Sequence, residues 1–127
     1  MLGIEPLELY FSFDLNKQMS CSLQLTNDTN SNIAFNIEKM NPLLCSTQPN
    51  KGIVLPRSKC SVDITLQPRD KAPRDMRLAN EFIVRSTKVN NGLAVQDITV
   101  NMFNKETDNI VDELNLDVVF DARLQQV

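Results

Sequence analysis

The side chains that most often carry catalysis are scarce in this chain. It contains no histidine and only three cysteines. Without histidine, neither a Ser/His/Asp nor a Cys/His nucleophilic site can be assembled, and most zinc sites are excluded. The cysteines show no CxxC spacing, and the sequence contains no glycine-rich phosphate loop. We therefore predict a non-enzymatic protein without a cofactor or a bound metal.

Two of the cysteines are predicted to be core residues. Cys21 alternates in phase with Leu23, and Cys60 alternates in phase with Val62. Buried thiols pack as small hydrophobic groups, so we expect both to be buried, reduced and slow to react. Cys45 is interpreted as an ordinary edge residue, because nothing near it in the sequence would lower its pKa. This pattern favours a reducing compartment over a secreted location.

Side chains suited to binding lie on two short stretches with a period of two. In "IAFNIEKMNP" (33–42), Phe35 and Ile37 fall on one face of a strand, and Asn36 and Glu38 fall on the other. The apolar set indicates a core face. The polar set indicates a surface that is either solvated or used for binding.

The stretch "EFIVRS" (81–86) has the same alternation, with Phe82 on the apolar face. Both stretches are electrically balanced. Glu38 is followed by Lys39 in the first, and Glu81 is accompanied by Arg85 in the second. A binding surface built from these two strands would therefore not be strongly charged.

Length and charge restrict the class of protein further. The chain has 127 residues, enough for one domain with a real core. Its net charge of −3 argues against a nucleic-acid surface. No apolar run approaches the ~20 residues of a membrane span, and the N-terminus lacks the basic region of a signal peptide. We expect a single domain over residues 1–127, cut from a longer protein, that does not itself insert into a membrane.

Alternation predicts many short strands, which is typical of an antiparallel sandwich. Helical spacing of Val95, Ile98 and Met102 predicts one short helix before the last strand. An irregular edge strand is expected around 43–48, passing from one sheet to the other between prolines. The main strands are predicted over 4–11, 20–27, 32–39, 60–67, 81–86 and 113–120.

The same alternation selects the residues that face the core, because a shift of one residue would move all of them to the surface. The last strand offers two phases. We choose the one that buries Leu116 and Val118, since Asn115 and Asp117 then point to water. The predicted core comprises Leu23, Leu25, Phe35, Ile37, Val62, Ile64, Phe82, Val84, Leu114, Leu116, Val118 and Phe120.

Taken together, these segments resemble a major sperm protein (MSP) domain, in a pattern nearest to the plant VAMP-associated proteins. The resemblance implies an immunoglobulin-like, seven-stranded antiparallel β-sandwich, the MSP fold, with one short helix before the last strand. Alternation predicts the same all-β class independently. The matching segments are "LGIEPLELYFSF" (2–13), "CSLQLTN" (21–27), "IAFNI" (33–37), "QPNKGIVLPRS" (48–58), "ITLQP" (64–68) and "MFNKE" (102–106).

The resemblance also implies an adaptor function. Family members bind short peptides of partner proteins, notably the FFAT motif, in which two phenylalanines lie in an acidic tract. Their groove is electropositive and uses outward residues of the strand ending at Pro42 and of the strand containing Phe82. Lysines attract the acidic flanks of the peptide, and an apolar pocket receives an aromatic side chain.

This sequence departs from that basic groove. Asn36, Glu38, Leu43, Leu44 and Glu81 stand where the family typically has lysines or other basic residues. We therefore expect the shape to be kept and the charge to be lost. An acidic peptide should bind weakly or not at all, and lysine at positions 38 and 81 together should restore binding. The groove positions carried over from the resemblance are Asn36, Glu38, Lys39, Met40, Leu43, Leu44, Glu81, Phe82 and Ile83.

Other interpretations are left open by the sequence. Glu38 and Glu81 can be ordinary solvated residues, and Leu43 and Leu44 can belong to the core of the irregular strand. The domain can be structural and form a homodimer, as major sperm proteins do. It can also be part of a plant kinase–MSP fusion, resembling an immune receptor, that senses another protein. We expect a protein or peptide partner that is not strongly acidic, and a cytoplasmic parent protein tethered to the endoplasmic reticulum or plasma membrane.

Overall fold

The chain folds into two β-sheets packed face to face. The computed structural model describes residues 1–12, 14–40, 45–68, 71, 77–104 and 110–121. Two short 3₁₀ helices, Val95–Asp97 and Val100–Phe103, precede the last strand. The strands are β1 (Gly3–Glu5), β2 (Glu8–Ser12), β3 (Met19–Asn27), β4 (Asn32–Lys39), β5 (Cys45–Gln48), β6 (Lys51–Val54), β7 (Ser58–Leu66), β8 (Arg77–Val89) and β9 (Asp112–Asp121).

The topology confirms the predicted all-β, immunoglobulin-like sandwich. The smaller sheet has the strand order β1-β3-β7-β5, and the larger sheet has the order β2-β9-β8-β4-β6. Strands pair antiparallel except β2 and β9, which run parallel. Nine strand segments appear among the described residues, because the first predicted strand is divided between the two sheets around Pro6, and two short strands follow β4.

The edge strand expected after β4 is present as β5. It pairs with β7 at the edge of the smaller sheet, whereas β4 and β6 pair with each other in the larger sheet. The chain therefore crosses to the opposite sheet, as the sequence indicated, and then returns to the larger sheet with β6. Leu43 and Leu44, which begin the expected range, lie outside the described residues.

The predicted core is confirmed almost completely. Leu23 lies opposite Val62 in the pairing of β3 with β7, and Phe82 lies opposite Leu116 in the pairing of β8 with β9. Leu114 is half-buried, while every other predicted core residue is buried. The phase chosen for β9 is therefore correct, and it fixes which of its side chains face outward.

The segment before β9 forms two 3₁₀ turns in place of a continuous helix. Ile98 has an extended backbone, with φ of −73° and ψ of 122°, and this interrupts the helical path. Ile98 and Phe103 nevertheless pack against Ala34, whose side chain lies on the outward face of β4. Val95 is 45% exposed, so it does not share that contact surface as the helical spacing predicted. The segment thus covers one end of the outward face of the larger sheet.

Candidate functional site

The uncovered part of the larger sheet forms a polar surface from three neighbouring strands. We call it the outer face, and define it by the outward residues of β4, β8 and β9. In the strand register, Asn36 lies opposite Arg85 and Glu38 lies opposite Ile83. Arg85 in turn lies opposite Glu113, and Ile83 lies opposite Asn115. The outer face therefore comprises Asn36, Glu38, Ile83, Arg85, Glu113 and Asn115.

An arginine shared by two carboxylates lies at the centre of the outer face. The guanidinium of Arg85 forms an ion pair with Oε2 of Glu38. Its Nε donates to Oε1 of Glu113 at 3.2 Å. The hydrogen bond to Glu38 is the main reason why the pKa of Arg85 lies above its ordinary value, and the bond to Glu113 adds to it. The positive charge is consequently held by two partners from β4 and β9.

A concave pocket lies beside this ion-pair network. It has a volume of about 450 Å³. Its wall is the second 3₁₀ helix, where Val100 is 74% exposed and Phe103 is buried against the sheet. The surface therefore offers an apolar side chain, amide groups and carboxylates to a ligand. The pocket is lined by Asn36, Glu38, Arg85, Val100, Asn101, Phe103, Asn104 and Glu113.

The groove residues predicted on β4 lie at the surface. Asn36 is half-buried, and Glu38 has 49% of its side chain exposed. Met40 is 48% exposed, and its backbone N–H donates to the carbonyl oxygen of Glu81 at 2.9 Å. Lys39 is exposed and its Nζ donates to the carbonyl oxygen of Cys45 at 3.2 Å. The ammonium of Lys39 thus points to the start of β5 rather than to the centre of the outer face.

Two of the predicted groove residues on β8 are less accessible than a groove requires, although the burial of Phe82 agrees with its prediction as a core residue. Glu81 is 3% exposed and Phe82 is fully buried, whereas Ile83 is half-buried. The pairing of β8 with β9 shifts register between Leu78 and Phe82, and Asn80 has a positive φ of 56°. Such an irregularity bends a strand and re-aims its side chains. Glu81 and Phe82 therefore do not present their side chains to a ligand at the surface.

Sequence reasoning missed two residues that the structure places at the centre of the outer face. The sequence places Arg85 and Glu113 on predicted strands, but neither belongs to the predicted groove. Alternation does place both on outward faces, since Val84 and Leu116 face inward. The local sequence does not specify the strand order. In the folded chain β9 lies next to β8, and this brings the two side chains together. The wall formed by residues 100–104 could not be foreseen for the same reason.

In the described part of the chain, no group of three or more His, Cys, Asp or Glu side chains is arranged to hold a metal ion. Among the described helices, none has the length and apolar character needed to cross a membrane.

The cysteines are less deeply buried than the sequence predicted. Cys21 and Cys60 pack against the core but are only partly buried. Each is the third residue of its strand, and because β3 and β7 are antiparallel, the two lie near opposite ends of the sandwich. Burial raises the pKa of Cys21 to about 11, and it also raises the pKa of Cys60. No disulfide joins these two residues.

Alkylation of Cys21 by iodoacetamide at pH 8 is expected to be about tenfold slower than in the unfolded chain. A pKa near 11 instead of 9 leaves roughly 100-fold less thiolate at this pH. The more basic thiolate is roughly tenfold more nucleophilic, which offsets part of that loss. Peptide mass mapping over time measures the rate at each cysteine separately, with urea-unfolded chain as control. The rate should rise steadily from pH 8 to pH 10, and a rate at Cys21 equal to that of the unfolded chain would contradict the assignment.

Comparisons with known proteins agree with this architecture. A family model described as the MSP (Major sperm protein) domain matches residues 1–109. A solved structure, that of WR4, a C. elegans MSP family member, superimposes with a TM-score of 0.67 at 16% identity. It covers 95% of this chain and 98% of that one.

Curated plant proteins are similar over nearly the whole chain. Vesicle-associated protein 1-1 of Arabidopsis thaliana is 42% identical over 121 residues, which is 95% of this chain and 47% of that protein. Vesicle-associated protein 3-1 of the same plant is 40% identical over 120 residues, which is 94% of this chain and 80% of that protein. The chain thus spans about half the length of the first relative and most of the second.

Proposed function

The chain belongs to the MSP (major sperm protein) domain family, and we propose that it is a non-enzymatic protein-interaction module that binds a peptide segment of a partner on its outer face. We further propose that this face disfavours acidic peptides. The observation that carries the proposal is the ion-pair network of Arg85 with Glu38 and Glu113. The absence of histidine supports a function without catalysis.

The ion-pair network leaves little uncompensated positive charge on Arg85 for a ligand. Two N–H donors of the Arg85 guanidinium are held by carboxylates and its charge is compensated, so it attracts an approaching anion poorly. An acidic side chain arriving at the outer face meets Glu38, half of whose side chain is exposed. Two like charges about 4 Å apart repel by about 1 kcal/mol even in water. A peptide with several acidic residues repeats that cost at each contact.

The shape and lining of the pocket also support the proposal. The pocket volume of about 450 Å³ falls within the range of known ligand-binding pockets, about 300–1,000 Å³. Its exposed Val100 offers apolar contact, and the neighbouring Asn101 offers an amide donor and acceptor to a peptide backbone. Met40 adds a second exposed apolar side chain at the end of β4. These groups suit a ligand with apolar and uncharged polar residues.

Calorimetric titration with two peptides of one length tests the proposal. The first carries two phenylalanines in an acidic tract, and the second replaces each acidic residue by glutamine or asparagine. We expect the neutral peptide to bind at least about fivefold more tightly, because one relieved repulsion is worth about 1 kcal/mol. Higher salt should narrow this difference by screening the charges. Micromolar binding of the acidic peptide, tighter than that of the neutral one, would overturn the proposed selectivity.

A further inference from the structure

One edge of the larger sheet is only half covered by a neighbouring strand. On one side, β9 pairs with β8 between residues 112 and 119, whereas on the other side β2 pairs only with residues 117–121. β1, which precedes β2 in the chain, pairs with β3 in the smaller sheet instead. Among the described residues, no strand therefore pairs with residues 112–116 of β9 on the side of β2. We call this stretch the open edge of β9.

The open edge has backbone groups suited to another strand. In an antiparallel pair, residues exchange both hydrogen bonds with the partner strand only at alternate positions, and the residues between them direct their N–H and C=O groups to the other side. Leu114 and Asn115 are consecutive residues of the pairing between β8 and β9. One of the two therefore directs its backbone groups away from β8. An extended peptide can bind these groups as an added strand that continues the line of β2 along β9.

A pocket of about 440 Å³ lies beside the open edge, between the two sheets. Leu2 and Ile4, at the start of the smaller sheet, form one wall of the pocket. Val84 and Leu114, which lie opposite each other in the pairing of β8 with β9, form the facing wall. A side chain that enters from the open edge therefore meets apolar groups from both sheets.

A buried hydroxyl group lies in this pocket. Ser86 is 3% exposed, and it faces the space between the sheets because it alternates with the buried Val84 on β8. It lines the pocket, and its side chain makes no hydrogen bond to any residue in the described part of the chain. A buried hydroxyl without a partner costs stability. The pocket therefore favours a ligand that offers a hydrogen bond to Ser86.

The size of the open edge indicates a single strand rather than a second folded domain. Five residues of a strand extend over about 17 Å, and neighbouring strands lie about 4.8 Å apart, so the strip covers about 80 Å² of sheet. Even with the pocket beside it, this area is small against the ~800 Å² that each partner buries in a typical stable protein interface. The occupant that fits is a short extended segment of a partner protein.

We propose that the open edge of β9 binds an extended peptide segment that carries a tyrosine, with the ring of this tyrosine in the pocket and its hydroxyl hydrogen-bonded to Ser86. The added strand lies two strand spacings from β8, or about 9.6 Å. The hydroxyl of tyrosine lies about 6.5 Å from its own Cα atom, and a hydrogen bond of about 2.8 Å to the serine side chain covers the rest. This inference goes beyond the proposed function, because the open edge is separate from the outer face.

Other side chains fit the pocket less well. Leucine and valine are too short to reach β8 from the added strand. Phenylalanine fills the same space as tyrosine but leaves the hydroxyl of Ser86 without a partner. Lysine reaches as far, but it brings an ammonium group against apolar walls, and that desolvation is unfavourable. The geometry therefore selects an aromatic ring with a hydroxyl at its end.

Three nine-residue peptides test this proposal by NMR titration of the isotope-labelled, intact chain. All are built from threonine and serine, with tyrosine, phenylalanine or alanine at position 5. We expect the tyrosine peptide to bind about fivefold more tightly than the phenylalanine peptide, which is the effect of one net hydrogen bond, and the alanine peptide to bind most weakly. The largest changes in amide chemical shift should occur at Leu114–Leu116.

Two variants of the chain and one modified peptide separate the contributions. Ser86→Ala should abolish the preference for tyrosine over phenylalanine, as in a double-mutant cycle. Ser20→Ala removes an exposed hydroxyl from β3 in the smaller sheet and should leave the fivefold ratio unchanged. Methylation of two consecutive backbone N–H groups of the tyrosine peptide should weaken its binding at least about fivefold, because one of the two points to β9 in an added strand.

Three results would overturn this inference: equal binding of the tyrosine and phenylalanine peptides, a tyrosine preference that survives in Ser86→Ala, or no measurable binding of any of the peptides. Shifts that are largest at Asn36–Lys39 would place the peptide on the outer face. That result also overturns the inference, but it supports the proposed function. Each of the other results leaves the proposed function in place, because the outer face is tested by a different pair of peptides.

Discussion

Phe82→Ala is expected to lower the free energy of unfolding by about 3–5 kcal/mol. The side chain of Phe82 is fully buried in the main hydrophobic cluster. It lies on β8, opposite Leu116 on one side and Lys39 on the other, so it supports β4 and β9, the two neighbouring strands of the outer face. Truncation removes the transfer free energy of an aromatic ring and leaves a cavity that a close-packed core can only partly fill.

Urea denaturation followed by circular dichroism measures this loss. Tyr10→Ala is the matched control, because Tyr10 is also an aromatic strand residue but is 56% exposed and makes a surface hydrogen bond to Glu8. The control should lose less than about 1 kcal/mol. A loss below about 1 kcal/mol for Phe82→Ala would show that the ring does not occupy the core, and would return it to the list of surface-groove residues.

The alternation in the sequence was sufficient to predict most of the fold. Residues such as Leu23, Val62 and Phe82 repeat with period two between turn-forming segments, and burying one face fixes the register of each strand. The phase of β9 could be chosen because only one phase leaves Asn115 and Asp117 in water. These signals are local, because each is contained within a single strand.

The candidate site depends on features that are not local. Strand order brings Glu113 beside Arg85, and nothing in either segment alone specifies that neighbour. The register shift near Asn80 buries Glu81, although simple alternation places it on the same face as Ile83. The two 3₁₀ turns likewise depend on packing against Ala34 rather than on a helical repeat. When groove residues are assigned from a family resemblance position by position, each outward residue is assumed to remain accessible. The burial of Glu81 is therefore missed.

The burial of Glu81 also changes which substitutions can restore a basic outer face. Lysine at position 81 would place an ammonium where only 3% of the present side chain is exposed, and burying that charge would cost stability. Glu113 is the better position, because it contacts Arg85 from β9 and 32% of its side chain is exposed. The variant suggested by the structure is therefore Glu38→Lys combined with Glu113→Lys.

This double variant is expected to bind the acidic, phenylalanine-containing peptide roughly 30–100-fold more tightly than the native domain does. Each substitution removes a repulsion and adds an attraction of about 1 kcal/mol at contact distance in water. Ordering of the side chains and screening reduce the total of about 4 kcal/mol to about 2–2.7 kcal/mol, which corresponds to that range. The substitutions also release Arg85 from both carboxylates, so its guanidinium becomes available to the peptide.

Calorimetry at two ionic strengths separates this local effect from a change in overall charge. The gain in affinity of the double variant over the native domain should be large at 0.05 M salt and small at 0.5 M salt, because salt screens exposed charges. Glu5→Lys combined with Asp63→Lys changes the net charge equally, but both residues are exposed on the smaller sheet. An equal gain by this control would mean that net charge alone attracts the peptide. Absence of any gain in Glu38→Lys/Glu113→Lys, with the fold intact by circular dichroism, would mean that the outer face does not receive a peptide, since its charge would then be favourable and its shape unchanged.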